Sequence, residues 1–316
     1  MKDASAIDVS VIIVNWNTLD LLKDCIASVF SQTRDIDFEV IVIDNASTDG
    51  SPEMVRGEFG DVILIANTKN VGFAAANNQG MNIAKGRYVL LLNSDTIVLE
   101  AAIQKTVAYA DRRPDAAVIG CRILNPDHTL QNSCFMFPSL LNSLLFSTYL
   151  FKLFPTSRFF GREQMTWWHR DYEREVDVVT GCYMLVRKQA IDQVGLMDDG
   201  FFMYAEETDW CFRFKARGWK NWFTPDAEII HFGGASAAKL GVSRAQITNA
   251  SFIRYMNKHW SKPRAFAGKY LILLFYVTRL AALLPKRMIS SSEQDERRLH
   301  NHLAGLKDIF AKDRYG

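Results

Sequence analysis

Three apolar runs stop abruptly on polar clusters: Val11-Ile12-Ile13-Val14 on Asn15-Trp16-Asn17, Val40-Ile41-Val42-Ile43 on Asp44-Asn45, and Tyr88-Val89-Leu90-Leu91-Leu92 on Asn93-Ser94-Asp95. Short, uninterrupted runs of this kind suit strands buried on both faces. Between them the spacing turns helical, with Leu19, Leu22, Ile26, Val29 and Phe30 on one face. The pattern predicts strands over 9–15, 38–44, 62–66, 88–92 and 116–120. Helices are predicted over 19–30, 51–59, 74–84 and 100–112, with Ser51-Pro52 opening the second. Such alternation builds an α/β fold with a mixed, mostly parallel sheet and right-handed crossovers. Ligands of open α/β sheets bind outside the carboxyl ends of strands, where the polar clusters fall.

From 122 to 174 the periodicity gives way to aromatic, Pro-punctuated sequence, expected to run as a long excursion over the active face. Regularity returns with a strand over 176–186, a helix over 188–194, a loop entering a helix over 201–218, and a strand over 222–230. After Ala245 the chain reads as helical, broken near Ser261-Lys262-Pro263, and 293–312 reads as a charged helix.

At 316 residues, 48% hydrophobic and 23% charged, the chain can bury a substantial core. The net charge of +2 conceals an asymmetry. Between 229 and 292 there is no Asp or Glu, while Lys239, Arg244, Arg254, Lys258, Lys262, Arg264, Lys269, Arg279, Lys286 and Arg287 are basic. A strip this one-sided calls for an anionic partner or surface. Five widely spaced cysteines without a Cys-x-x-Cys pair argue against a disulfide framework or zinc site and fit a reducing cytoplasm. Met1-Lys2-Asp3-Ala4-Ser5 lacks a signal-peptide pattern. Two greasy stretches, 140–154 and 270–284, are interrupted by Lys152 and Arg279. At about 15 residues each they fall short of the roughly 20 a span needs, so lying on a membrane is expected and crossing one is not.

Asp95, ending a buried strand, is placed to deliver a metal ligand to the sheet rim. Asp44 either caps the next turn or accepts a hydrogen bond from a base or ribose, and Trp16 either packs in the core or stacks on a base. In Asn70-Val71-Gly72-Phe73-Ala74-Ala75-Ala76-Asn77-Asn78, a Gly at a helix start and small residues behind it suit either a phosphate or close packing on the sheet. No Walker loop or Gly-x-Gly-x-x-Gly is present, which argues against a dinucleotide cofactor. Glu206-Glu207-Thr208-Asp209 either complements a helix N-terminus or crowds carboxylates into a general base. His231, at a strand end before Gly233-Gly234, is either structural or placed for a metal or diphosphate.

In order, Val-Ile-Ile-Val-Asn-Trp-Asn, Asp-Asn-Ala-Ser-Thr-Asp-Gly-Ser, Asn-x-Gly-Phe-Ala-x-Ala-x-Asn-x-Gly, Leu-Leu-Asn-Ser-Asp, Glu-Glu-Thr-Asp-Trp-Cys-x-Arg and His-x-Gly-Gly-x-Ser resemble the GT-A-fold family 2 glycosyltransferases, nearest their bacterial rhamnosyltransferase-like branch. The resemblance covers roughly 9–236 and implies a nucleotide-sugar donor across Asn15, Trp16, Asp44 and Asn45, with Gly72, Asn78 and Asn93 also on the donor side. Asp95 matches the last residue of the family's Asp-x-Asp, Asn93 replacing the first, and would bind Mg²⁺ or Mn²⁺ with His231 completing the contacts. Glu207 falls where the family has its catalytic base, with Asp209 the second candidate, and Asn77 stands where many relatives have Arg.

The resemblance implies an inverting, metal-dependent transfer, best assigned as L-rhamnose from dTDP-rhamnose, with UDP- or GDP-sugars as alternatives. The acceptor would be a polyprenyl-diphosphate-linked saccharide in O-antigen or similar polysaccharide synthesis, at the cytoplasmic face of the inner membrane. Residues 1–240 are expected to form the catalytic domain, and 241–316 a basic helical extension that meets the membrane or makes a homodimer. No nucleic-acid partner is expected. A nucleotidyltransferase would need a Gly-rich phosphate loop that this chain lacks; a non-catalytic sugar-nucleotide-binding scaffold is the other alternative.

Overall fold

The computed structural model describes residues 7–234, 244–289, 292–307 and 309–310, with backbone alone for 284–289 and 293–294. Ser236 and Lys239 lie outside the described residues. The chain folds as two compact units, one of Met1–Phe135, His169–Asp199 and Glu206–Lys239, the other of Met136–Trp168, Gly200–Ala205 and Leu240–Gly316.

In chain order, β1 (Val9–Asn15), α1 (Leu19–Gln32), β2 (Phe38–Asp44), α2 (Ser51–Glu58), β3 (Val62–Ala66), α3 (Phe73–Ile83) and β4 (Tyr88–Asn93) form the expected alternation. They continue into β5 (Thr96–Val98), α4 (Ala102–Asp111) and β6 (Ala116–Leu124). The aromatic excursion holds β7 (Leu130–Gln131), β8 (Cys134–Phe135), α5 (Leu140–Ser147) and α6 (Leu150–Leu153). Then come β9 (Arg174–Val176), β10 (Val178–Val179), β11 (Tyr183–Arg187), α7 (Lys188–Val194), α8 (Glu206–Ala216) and β12 (Lys220–His231). The chain closes with α9 (Arg244–His259), α10 (Lys262–Ile289) and α11 (Glu293–Lys307).

In the first unit the sheet runs β3-β2-β1-β4-β11-β6-β12-β5. Its β3-β2-β1-β4 half is parallel, and β11 lies antiparallel between β4 and β6. The register sets Asn15 beside Asp44, so the polar ends of β1 and β2 meet at one edge. Val9, Val11 and Ile13 pack on Leu22, Cys25, Ile26 and Val29 of α1, all fully buried, each large side chain worth about 1.5–3 kcal/mol. On the opposite face, a Cβ at Gly80 of α3 would stand 2.7 Å from Ile12 Cγ2, so this helix can sit against β1 only with glycine there.

The single strand expected over 176–186 is three short ones with different partners: β9 pairs with β12, β10 with β8, and β11 with β4 and β6. One break falls at Asp177 and the other at Thr180-Gly181-Cys182, where a Cβ on Gly181 would lie 3.3 Å from the Phe73 ring.

In the second unit α10 packs against α5, α9 and α11. Pro263 sits in its first turn, where a missing N–H costs nothing. Its 28 residues exceed the apolar stretch seen in the sequence, and Lys262–Leu283 is long and apolar enough to cross a membrane by length and composition. Arg279, counted in the basic strip, turns inward instead. It is 3% exposed, donates to Ser147 O at 2.6 Å and Phe146 O at 2.9 Å, and lies 3.7 Å from the Tyr149 ring centroid. Its charge caps the carbonyl end of α5, and burial lowers its pKa to about 10.

Candidate active site

The ends of β1 and β2 form one hydrogen-bonded floor. Asn15 Nδ2 donates to Asp44 Oδ2 at 2.8 Å and to Ser47 Oγ at 3.1 Å, while Ser47 N donates to Asp44 Oδ1 at 2.8 Å. Asp44 is 1% exposed, and its carboxylate fixes the turn after β2. Thr18 Oγ1 donates to Asn15 Oδ1 at 2.6 Å and lies 2.9 Å from Ser94 Oγ, tying the ends of β1 and β4 together. Trp16, next in chain, is half-buried. Asn45 Nδ2 donates to Gly72 O at 3.2 Å, linking this floor to the start of α3, which Gly72 opens with a φ of 88°.

Asn78 does not join the floor. Its amide donates to Met197 O at 2.9 Å and accepts from Met197 N at 3.1 Å, so it tethers the segment before α8. Asn77 is likewise buried and bonds Phe73 O.

At the end of β4, Asn93 Nδ2 lies 3.3 Å from His231 Nε2, and Asp95 Oδ1 stands 3.3 Å from the same nitrogen. The third expected contact thus arrives from the far end of β12, which pairs His231 with Thr96 of β5. On its other side His231 Nδ1 meets Gln131 Oε1 at 2.6 Å. Gln131 Nε2 is used on Asn125 Oδ1 at 2.8 Å and His231 O at 3.3 Å, which leaves Oε1 as the acceptor and His231 Nδ1 as the donor. Burial opposes a charge on His231, but the adjoining Cys182 sulfur and the Asp95 carboxylate outweigh it and hold the pKa up to about 10.

An octahedral cation with bonds near 2.1 Å sets neighbouring ligands roughly 3 Å apart, and the 3.3 Å between Asp95 Oδ1 and His231 Nε2 suits that bite. Among the described residues no group of three or more His, Cys, Asp or Glu could hold a metal. Two protein ligands match an ion shared with a phosphate-bearing substrate.

The acidic cluster resolves into three environments. Asp209 is fully buried, with Oδ2 accepting from Arg213 Nε at 2.8 Å. Its carboxylate is thus engaged within α8. Glu206 is 4% exposed, and burial and then the Glu207 charge push its pKa well up. Glu207 is only half-buried, and burial raises its carboxyl to about 7. Its Cβ lies 4.0 Å from where a Cβ on Gly181 would be, beside Phe73 at the start of α3. Sequence reasoning missed Gln131 and Cys182, whose roles come from folding against His231 rather than from any local pattern.

Known proteins resemble this chain in fold and in sequence. The fold superposes on a mannosyltransferase from Pyrobaculum calidifontis, solved with GDP-Man and Mn²⁺, at a TM-score of 0.58 and 17% identity, covering 98% of this chain and 89% of that one. An N-acetylglucosaminyl-diphospho-decaprenol L-rhamnosyltransferase of Mycobacterium tuberculosis is 27% identical over 246 residues, 71% of this chain and 77% of that protein. The O-antigen biosynthesis protein RfbC of Myxococcus xanthus is 25% identical over 230 residues, 72% of this chain and 17% of that protein. Residues 10–195, more than half the chain and the part that carries Asn15, Asp44 and Asp95, match Glycosyl transferase family 2, and the protein belongs to that family of glycosyltransferases.

Proposed function

We propose that the protein transfers a hexose, best assigned as L-rhamnose from dTDP-rhamnose, with inversion onto a hydroxyl of a polyprenyl-diphosphate-linked saccharide. The reading rests chiefly on Glu207, an accessible carboxyl at the start of α8 with a pKa near 7, in the same unit as the Asp95–His231 pair. The relative from Mycobacterium tuberculosis, named for a decaprenol-linked substrate and an L-rhamnosyl group, supports the choice of sugar and acceptor class.

Glu207 takes the proton of the acceptor hydroxyl as its oxygen bonds to the anomeric carbon. The bond from that carbon to the diphosphate oxygen breaks on the opposite face, and the electron pair leaves with the nucleoside diphosphate. A base in this position contributes about 10²–10⁴-fold. Asn15, Trp16 and Asn45 line the nucleoside end over the Asp44 turn, and Gly72 brings the backbone of α3 close to the phosphates. Asp95 and His231 would hold Mg²⁺ or Mn²⁺, which as a Lewis acid neutralises charge on the leaving diphosphate.

The second unit supplies a surface for a membrane-held acceptor. Phe266, Tyr270 and Val277 of α10, spaced four and seven residues apart on one helix face, are 58%, 50% and 49% exposed, and Lys262 and Arg264 at its start are exposed too. An apolar stripe with basic flanks lies in the plane of an anionic bilayer. The test is to incubate the protein with dTDP-rhamnose, UDP- and GDP-sugars and Mn²⁺ over a polyprenyl-diphosphate saccharide, and to read the product's anomeric configuration by NMR. An inverted rhamnoside is expected; a retained linkage or transfer from a different donor overturns the mechanism or the sugar assignment.

A further inference from the structure

In the second unit α5, α9, α10 and α11 line a half-open cavity of about 280 Å³. Its walls are largely apolar, from Phe146, Phe252, Ile272, Phe275 and Tyr276. Interiors of proteins pack densely, and a space this large equals about nine waters at roughly 30 Å³ each.

Two buried polar atoms of its lining have no hydrogen-bond partner, Glu163 Oε2 and His302 Nδ1. Orphaned buried polar atoms are uncommon and point to a missing partner. An apolar cavity with a few convergent polar groups has the make-up of a small-molecule site. The two groups also restrict the head of that molecule. Glu163 is raised by burial alone, with no contribution from Arg244 of the same lining, and when ionised it repels an anion. His302 is kept from protonating by burial and the charges of Arg279 and Arg298, so the surroundings also disfavour a cation. An uncharged group that both donates and accepts, a hydroxyl, satisfies both.

We propose that the cavity binds a neutral, hydroxyl-bearing amphiphile, its hydrocarbon chain among Phe146, Phe252 and Phe275 and its head between Glu163 and His302. The occupant is a lipid drawn from the surface on which α10 lies, since this helix carries the cavity wall on one side and the exposed stripe of Phe266, Tyr270 and Val277 on another. The site is distinct from the donor floor, and its test needs no nucleotide sugar, so the transferase reading can fail without it.

The full chain is titrated by calorimetry with straight-chain alcohols from hexanol to dodecanol, and with geraniol as the isoprenoid arm. Affinity is expected to rise about fourfold per methylene until the cavity is full and then level off. A better fit for geraniol than for an alcohol of equal carbon number assigns the site to prenyl chains, and the reverse to acyl-type chains. Ala245→Phe fills the cavity from α9 and should abolish the ladder; Thr248→Trp serves the same purpose should the first variant not fold. A flat series, or a ladder unchanged in the filled variants because the chains bind the outer stripe, overturns the proposal. Glu163→Gln should narrow the preference for an alcohol over the matching alkane, and an unchanged preference removes the head-group assignment.

Discussion

Gln131 Oε1 accepts a hydrogen bond from His231 Nδ1 at 2.6 Å across 100 positions of chain. Because the Gln131 amide nitrogen is already committed to Asn125 and the His231 carbonyl, the imidazole donates from Nδ1 whether or not it is charged, and Nε2 is the nitrogen that would give up its proton to a metal. Nε2 then faces Asp95 and Asn93. Outer partners of this kind orient a metal-binding histidine and set its tautomer.

Gln131→Ala is therefore expected to weaken Mn²⁺ binding about 10–100-fold, measured by EPR titration in the presence of a nucleoside diphosphate. Gln131→Glu, which keeps the acceptor, should restore most of it. Equal Mn²⁺ affinity in all three proteins would show that Gln131 is only a strand-edge residue.

Glu207 and Asp209 should separate cleanly. Glu207→Gln keeps donor binding and loses about 10²–10⁴-fold in turnover. Asp209→Asn leaves Arg213 without its carboxylate in a buried setting and should cost about 3 kcal/mol of stability, seen in denaturant unfolding. A folded Asp209→Asn with no turnover beside an active Glu207→Gln would reverse the roles.

The pH profile carries a sign. Glu207 acts when ionised and its pKa is about 7, so kcat/KM should be low in acid, rise through pH 7 and flatten above it. Glu206 loses its proton only after Glu207 does, since the Glu207 charge raises it further. Glu206→Gln should then leave the midpoint near 7; a drop of a full pH unit would mean that the two protons are shared.

How far the chain could be read follows from these residues. The ends of β1, β2 and β4 were legible because buried parallel strands are continuous apolar runs, and a polar residue that stops one lies at the rim. Glu207 and Asp209 were not separable, since residues two apart on a helix point about 200° away from each other and only the packing of α8 says which faces inward. The side of α3 that Asn78 faces was hidden for the same reason, being fixed by Met197. The strand over 176–186 looked continuous because its apolar character survives the Gly181 turn that divides it. Gln131 lay in a stretch without periodicity and gave no signal at all.

The stripe on α10 makes a quantitative demand. Removing two exposed charges with Lys262→Ala and Arg264→Ala should weaken binding to phosphatidylserine vesicles roughly 30-fold, at about 1 kcal/mol per charge. Neutral vesicles should show little change, and raised salt should shrink the difference. Co-sedimentation that is the same for wild type and variant would remove the electrostatic half of the surface. Self-association by sedimentation velocity, abolished by Phe266→Ser, would assign the stripe to a dimer instead.

Glu163 offers a test in the second unit alone. Burial raises its carboxyl from the ordinary 4.5 to about 7, so the folded state holds the proton more tightly than the unfolded chain. The native protein therefore suffers no penalty from this group below pH 4.5, accumulates one as pH climbs, and bears all of it above 7. Glu163→Gln, which cannot ionise, should match wild type near pH 4 and exceed it by up to about 3 kcal/mol at pH 8. The difference between the two proteins, read from urea unfolding across that range, isolates this group from every other carboxyl. A difference that stays constant with pH would mean that Glu163 titrates as an ordinary surface acid and that burial does not hold its proton.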